Sequence, residues 1–214
     1  MPTFIVDRRF TTHVERTARV LEVAEAFGLG MDESEFVVYD QLKLEIRQGD
    51  IVYITGQSGS GKSLLLRDLT TQMAARGQVI ANIDQITLPE VPLVDQIGKN
   101  TTEALEILSK AGLNDAYLFI RKPSELSDGQ RYRLRLAHLM SLEAAVWVAD
   151  EFGAVLDRTT AKVVAFSMSK VARTLGKTLI VATTHVDLDD ELGPNVRVLK
   201  RFREKIEMKT QREP

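Results

Sequence analysis

The stretch ITGQSGSGKS, Ile54 to Ser63, holds the clearest chemistry in the chain. Gly56, Gly59 and Gly61 let the backbone curl until successive N–H groups converge on phosphate oxygens, with Gln57, Ser58 and Ser60 completing the curl. Lys62 is spaced to reach the β- and γ-phosphates of a nucleotide, and the Ser63 hydroxyl to hold Mg²⁺, with Leu64 next in line. The G-x-x-x-x-G-K-S spacing between a strand and a helix is that of a phosphate loop; the competing reading is a Gly-rich turn with no ligand. Alone, such a loop is compatible with many unrelated nucleotide engines.

Further polar groups follow at intervals. ELSDGQRYRLRLAHLM, Glu125 to Met140, sets Ser127, Gly129 and Gln130 at the head of a helix, where Ser127 and the Gly129 amide form either a second anion site or a plain helix cap. AAVWVADEF ends a hydrophobic strand in Asp150-Glu151, an acidic pair that could also merely cap the next turn. In AVLDRTTA, Asp157 stands where another helix starts. VATTHVDL closes a strand on His185. Gln85 ends VIANIDQ, with Gln96 a nearby second amide.

These residues need a scaffold that brings strand ends together. Strands are expected over Asp50–Gly56, Gln78–Asp84, Ala144–Asp150 and Lys177–Thr184, as short apolar runs. Between them, helical periodicity covers KSLLLRDLTTQMAA, Thr102–Ala111, Gly129–Ser141 and Thr159–Leu175, the last closed by Gly176. Strands alternating with amphipathic helices predict an α/β fold with a mostly parallel sheet covered on both faces. FVVYDQLKLEIRQGD, Phe36 to Asp50, alternates apolar and polar up to a turn at Gln48-Gly49, predicting an antiparallel β edge. Arg16 to Gly30 reads as an amphipathic helix.

In this order the motifs resemble those of the ABC-type ATPases. Leu126-Ser127-Asp128-Gly129-Gln130 is similar to the family's signature, Asp150-Glu151 to its Walker B strand and adjacent acid, Ala154–Ala161 to its D-loop, Gln85 to its Q-loop glutamine and His185 to its switch histidine. The resemblance covers about Phe36 to Leu199. It implies a P-loop NTPase of ABC type that binds ATP with Mg²⁺ and hydrolyses it. Lys62, Glu151 and His185 would be catalytic, with Glu151 polarising the attacking water; Ser63, Asp150 and Gln85 would attend the metal. Walker A of one copy and Ser127, Gly129 and Gln130 of another would close on one ATP, with Asp157 in the loop crossing between them, so a homodimer is expected on ATP binding.

Departures from the family pattern matter. Leu64 stands where the family usually has a threonine touching the α-phosphate, a loss of about 1 kcal/mol. GMDESE, Gly30 to Glu35, has no aromatic to stack on adenine; Phe27, Phe36 and Tyr39 are the alternatives. The segment from Gln85 to Leu126, on which transporter subunits of the family dock their membrane partners, is short. This weakens the expectation of a membrane permease as partner and favours a soluble clamp or a switch acting on a separate protein partner. YITGQSGSGKSLLLRDL, PLVDQIG, LSKAGLNDAYLF, ELSDGQRYRLRLA and DEFGAVLDRTTAKVVAF are similar to a soluble group of ABC ATPases found in some members fused to a predicted GNAT-type acetyltransferase. Since REKIEMKTQREP follows soon after the last expected strand, no acetyltransferase domain is expected in this chain.

The expected organisation is an N-terminal extension over 1–35, an ATPase domain over 36–200 with a short helical insert at about 86–142, and a basic tail over 201–214. The composition suits one such domain, with 214 residues, 44% hydrophobic content and a net charge of −2. No apolar run approaches the ~18 residues of a membrane span, and the N-terminus lacks a secretory core, so a cytoplasmic protein is expected. The absence of cysteine excludes disulfides, thiolate metal sites and cysteine nucleophiles. Near-neutral charge gives no global pull toward nucleic acid. Local patches at Arg8, Arg9, Arg16 and Arg19, at Arg131, Arg133 and Arg135, and at Arg197, Lys200, Arg201, Arg203, Lys205, Lys209 and Arg212 offer a nucleic-acid contact, or simply a solvated surface.

Overall fold

Residues 2–201 and 206–211 are described in a computed structural model. Strand β1 (Thr3–Thr12), helix α1 (Ala18–Phe27) and strand β2 (Ser34–Glu45) come first; then β3 (Ile51–Gly56), α2 (Lys62–Ala75) and β4 (Ile80–Asn82). The middle of the chain is helical, with α3 (Leu93–Gln96), α4 (Thr101–Lys110), α5 (Ala116–Phe119) and α6 (Asp128–Ser141). It is followed by β5 (Val146–Ala149), α7 (Arg158–Thr174), β6 (Thr178–Thr183), α8 (Asp189–Leu192), β7 (Val196–Lys200) and β8 (Glu207–Thr210).

The chain divides into two compact units, Thr3–Leu44 and the remainder. The first holds a two-stranded sheet of β1 and β2 and the helix α1. Thr17 caps α1 by accepting from the Val20 N–H, and Gly28 ends it at φ +62. Of the α1 residues only Ala24 is buried, while Leu21, Val23 and Phe27 stay exposed.

The second unit is built on a six-stranded sheet in the order β4-β5-β6-β3-β7-β8. Every neighbouring pair from β4 to β7 is parallel, and β8 runs antiparallel on β7. Strands β3, β5 and β6 are buried along their whole length. That agrees with their unbroken apolar runs, since a central parallel strand is covered on both faces. The largest core side chains here are Trp147, Tyr53 and Phe152, packed with leucines from α6.

The α/β class and the mostly parallel sheet are as expected, but the antiparallel edge lies elsewhere. The stretch beginning at Phe36 forms β2, which pairs with β1 in a separate sheet, and the antiparallel edge of the main sheet is β8. The division after Leu44 differs from the expected one at Glu35/Phe36, because β2 continues unbroken through that point. β8 likewise carries the main sheet into the stretch read as a tail. Strand β4 is shorter than expected: the Asn82 side chain accepts from the Asp84 N–H at 3.0 Å and starts a 3₁₀ turn over Ile83–Gln85.

Candidate active site

Parallel strands β5, β6 and β3 lie side by side, so their carboxyl ends open on one edge of the sheet, where ligands of such folds gather. The phosphate loop leaves β3, Asp150-Glu151 follows β5, and Thr183-Thr184 ends β6 between them. A cavity of about 340 Å³ lies at this edge, lined by Ser58, Gly59, Gly61, Lys62, Ser63, Leu64, Asp150, Glu151, Ala154, Thr183 and Thr184.

The loop is shaped by glycines in backbone regions that other residues avoid: Gly59 at φ +72 and Gly61 at φ +102. Gly61 caps α2 without a side-chain hydrogen bond, which leaves the first N–H groups of a 14-residue helix directed at the cavity. The Lys62 ammonium donates to the carbonyl oxygens of Gly56 (2.9 Å) and Gln57 (2.7 Å). Burial pulls its pKa down, opposed by the charges of Asp150 and Glu151. Ser60 is buried and its Oγ has no hydrogen-bond partner among the described residues. An uncapped helix start, a buried ammonium and an orphaned hydroxyl are a donor set that fits a polyphosphate. No group of three or more His, Cys, Asp or Glu side chains able to hold a metal occurs among the described residues. Ser63 and Asp150 line the cavity together, which fits an ion that takes most of its ligands from phosphate and water.

The turn after β5 is unusual. Glu151 adopts φ +45, a left-handed backbone that costs a non-glycine residue about 1 kcal/mol or more. Its N–H donates to Asp150 Oδ1 (2.9 Å), and its carbonyl accepts from the Ala154 N–H (2.9 Å). Phe152 donates its N–H to the Ala182 carbonyl (2.9 Å) and accepts from the Thr183 hydroxyl (2.8 Å), which ties the turn to β6.

Several expected site residues stand away from the cavity. Ser127 and Gln130 close on each other in a capping box at the start of α6, the Gln130 side chain accepting from the Ser127 N–H at 2.9 Å and the Ser127 hydroxyl accepting from the Gln130 N–H at 3.3 Å. Gly129 faces the stretch before Asp157: a Cβ there would lie 3.4 Å from a Leu156 methyl and 3.5 Å from the Val155 carbonyl oxygen. Asp157 caps α7 through the Thr160 N–H (2.9 Å) and hydroxyl (2.6 Å), and these bonds hold its carboxyl below the usual range. The His185 backbone is fixed at the end of β6, its carbonyl accepting from the hydroxyls of Tyr53 (2.5 Å) and Thr55 (3.0 Å), while its ring does not line the cavity. Gln85 is exposed at the end of the 3₁₀ turn. Its competitor Gln96 is engaged at both ends of its amide, with the Val91 carbonyl (2.6 Å) and with His138 Nε2 (3.0 Å). Among the aromatics weighed for base stacking, Tyr39 is buried, Phe36 half-buried and Phe27 76% exposed. Ala154, Thr183 and Thr184 line the cavity without having been singled out; the TT before His185 was the available signal.

Several members of the basic patches are engaged within the chain. Arg9 pairs with Asp40 (2.6 Å), Arg131 with Asp128 (2.6 Å), Arg197 with Asp189 and Arg201 with Glu207 (3.5 Å). Arg133 donates to the Gly112 carbonyl (2.6 Å), and Lys200 is buried. Arg203, Lys205 and Arg212 lie outside the described residues. No helix among the described residues is long and apolar enough to cross a membrane.

A family model described as ABC transporter matches residues 39–154. The methionine import ATP-binding protein MetN of Francisella tularensis subsp. holarctica (strain OSU18) is 27% identical over 205 residues, covering 78% of this chain and 57% of that protein. The phosphonates import ATP-binding protein PhnC of Staphylococcus saprophyticus is 29% identical over 200 residues, covering 73% of this chain and 77% of that protein. The chain thus spans little more than half the length of the MetN relative. Among solved structures, the dimeric post-hydrolysis state of the ATP-binding cassette MJ0796 bound to ADP and Pi superposes with a TM-score of 0.66 at 18% identity, over 99% of this chain and 100% of that one. That likeness is one of fold.

Proposed function

The chain belongs to the ABC transporter family, and from that premise we propose that it binds Mg·ATP on the phosphate loop, closes on a second copy of itself and reopens on hydrolysis. The observation that carries this reading is a separation. Lys62, Ser63, Asp150 and Glu151 share one cavity, whereas Ser127, Gly129 and Gln130 lie outside it. In this reading one chain carries the nucleotide grip at one place and the Ser127 helix start, closed on itself in a capping box, at another, and two copies arranged head to tail would bring the two together twice.

In this reading Lys62 moves from the loop carbonyls to the β- and γ-phosphates. Ser63 and Asp150 would hold Mg²⁺, with Gln85 a weak contact to the metal or its water. Mg²⁺ supplies charge neutralisation of the phosphates. Glu151 orients and polarises the water, His185 turns onto the γ-phosphate, and Asp157 lies in the loop between the copies. Ser127, Gly129 and Gln130 of the second copy cover the γ-phosphate. Mg·ATP-dependent phosphate release that Lys62→Ala abolishes is the test; turnover unaffected by that change would contradict the site.

The load is read as soluble: a macromolecule clamped by the dimer, or a separate partner protein switched by it in the cytoplasm. A second reading is a transporter's ATP-binding subunit. It is favoured by the MetN and PhnC relatives, both named as import ATP-binding proteins, and by Tyr117 and Ile120, which stand 73% and 66% exposed in the helical insert. Nucleic acid is the weaker candidate, since Arg9, Arg131, Arg197 and Arg201 are already paired with carboxylates. Affinity capture on Glu151→Gln protein with Mg·ATP separates the three, by retention of a soluble protein, a permease or nucleic acid.

A further inference from the structure

We propose that Tyr132 is a positioning residue for hydrolysis, holding from α6 the turn that carries Glu151. The inference rests on the ATPase reading above. The Tyr132 hydroxyl accepts from the Gly153 N–H at 3.1 Å, and its ring meets Phe152 edge-on, with centroids 6.4 Å apart at 71°. The other side of the turn is fastened to the sheet through Phe152, so the backbone around Glu151 is held from both β6 and α6.

This arrangement gives the turn a mechanical connection. Glu151 keeps a left-handed backbone that its own residue type disfavours, so its carboxylate direction depends on the bonds that fix residues 152–154. Those from β6 belong to a rigid, buried strand. The bond from Tyr132 belongs to the helix that begins at Ser127, the residue placed against the second copy on closure. A shift of α6 on closure is therefore felt at Gly153 and Glu151 through the Tyr132 hydroxyl, with the ring contact to Phe152 beside it. Burial and the nearby Asp84 carboxylate both raise the Tyr132 pKa, so the phenol stays neutral and its lone pair remains available to the amide.

Tyr132→Phe removes the hydroxyl and keeps the ring. The test measures kcat, KM, affinity for a fluorescent ATP analogue, and amide hydrogen exchange across residues 150–156, with the wild-type and Lys62→Ala chains alongside. The expected result is a fall in kcat of about tenfold from misplacing the carboxylate, with KM and analogue affinity unchanged and faster exchange at the turn. Either kcat or exchange at its wild-type value overturns the proposal. So does a loss of kcat matched by an equal loss of analogue affinity, which would mark a general structural role. A wild-type chain with no Lys62-dependent turnover overturns the ATPase reading and this inference together, and is recognised because the parent itself is inactive.

Discussion

Gly56 stands against the backbone of Lys200: a Cβ on the glycine would lie 1.8 Å from the Lys200 carbonyl oxygen, and the two residues are register partners where β3 meets β7. The strand that launches the phosphate loop is therefore packed against its neighbour at the point where it turns. Gly56 also sits at φ +146, so a side chain would be strained even without the contact. Gly56→Ala is expected to destabilise the chain by roughly 2–4 kcal/mol in urea unfolding, because two backbone strands must part. Nucleotide affinity should fall with it, since Gly56 launches the loop whose N–H groups would grip the phosphates. Wild-type values of both would contradict the close approach.

Asp84 supplies a pH test. Burial raises its carboxyl pKa first, the charge of Asp150 adds to this, and Arg135 opposes it. A carboxyl raised above its unfolded value favours folding fully below that value and loses the contribution as pH rises through the folded value. The ionised form is thus a burden at neutral pH. Asp84→Asn is expected to stabilise the chain at pH 7 by less than about 1 kcal/mol, because the residue is solvent-accessible and its charge screened. The gain should vanish below the ordinary value of 3.8. Thermal melts of both proteins across that range check it; a variant less stable at pH 7 would show that Asp84 serves as an ion-pair partner instead.

Much of the scaffold could be read from residues because its strands are unbroken apolar runs. DIVYITG, AAVWVAD and KTLIVATT announce β3, β5 and β6, and glycine spacing announces the loop after β3. The strands without that signal were harder to see. β1 buries only Phe4 and Val6 before its exposed RRFTT, and β8 is exposed along its length, paired through backbone rather than burial. The end of β4 is decided by one side-chain bond from Asn82. Tyr132 was invisible for a related reason: its partner Gly153 lies far along the chain, and no helical spacing reveals a bond between a helix and a distant turn. The candidate residues that follow β3 and β5 come together in one cavity, whereas Ser127, Gly129 and Gln130 at the start of α6 do not join them within one chain.

The central claim, that two copies close over ATP, is tested most directly by the mass of Glu151→Gln protein in solution, measured by light scattering with and without saturating Mg·ATP. Closure predicts monomer without nucleotide and dimer with it, the dimer being lost when Ser127→Arg is added while ATP binding on the phosphate loop persists. A chain that remains monomeric with ATP bound, or a dimer indifferent to Ser127→Arg, would contradict the composite site.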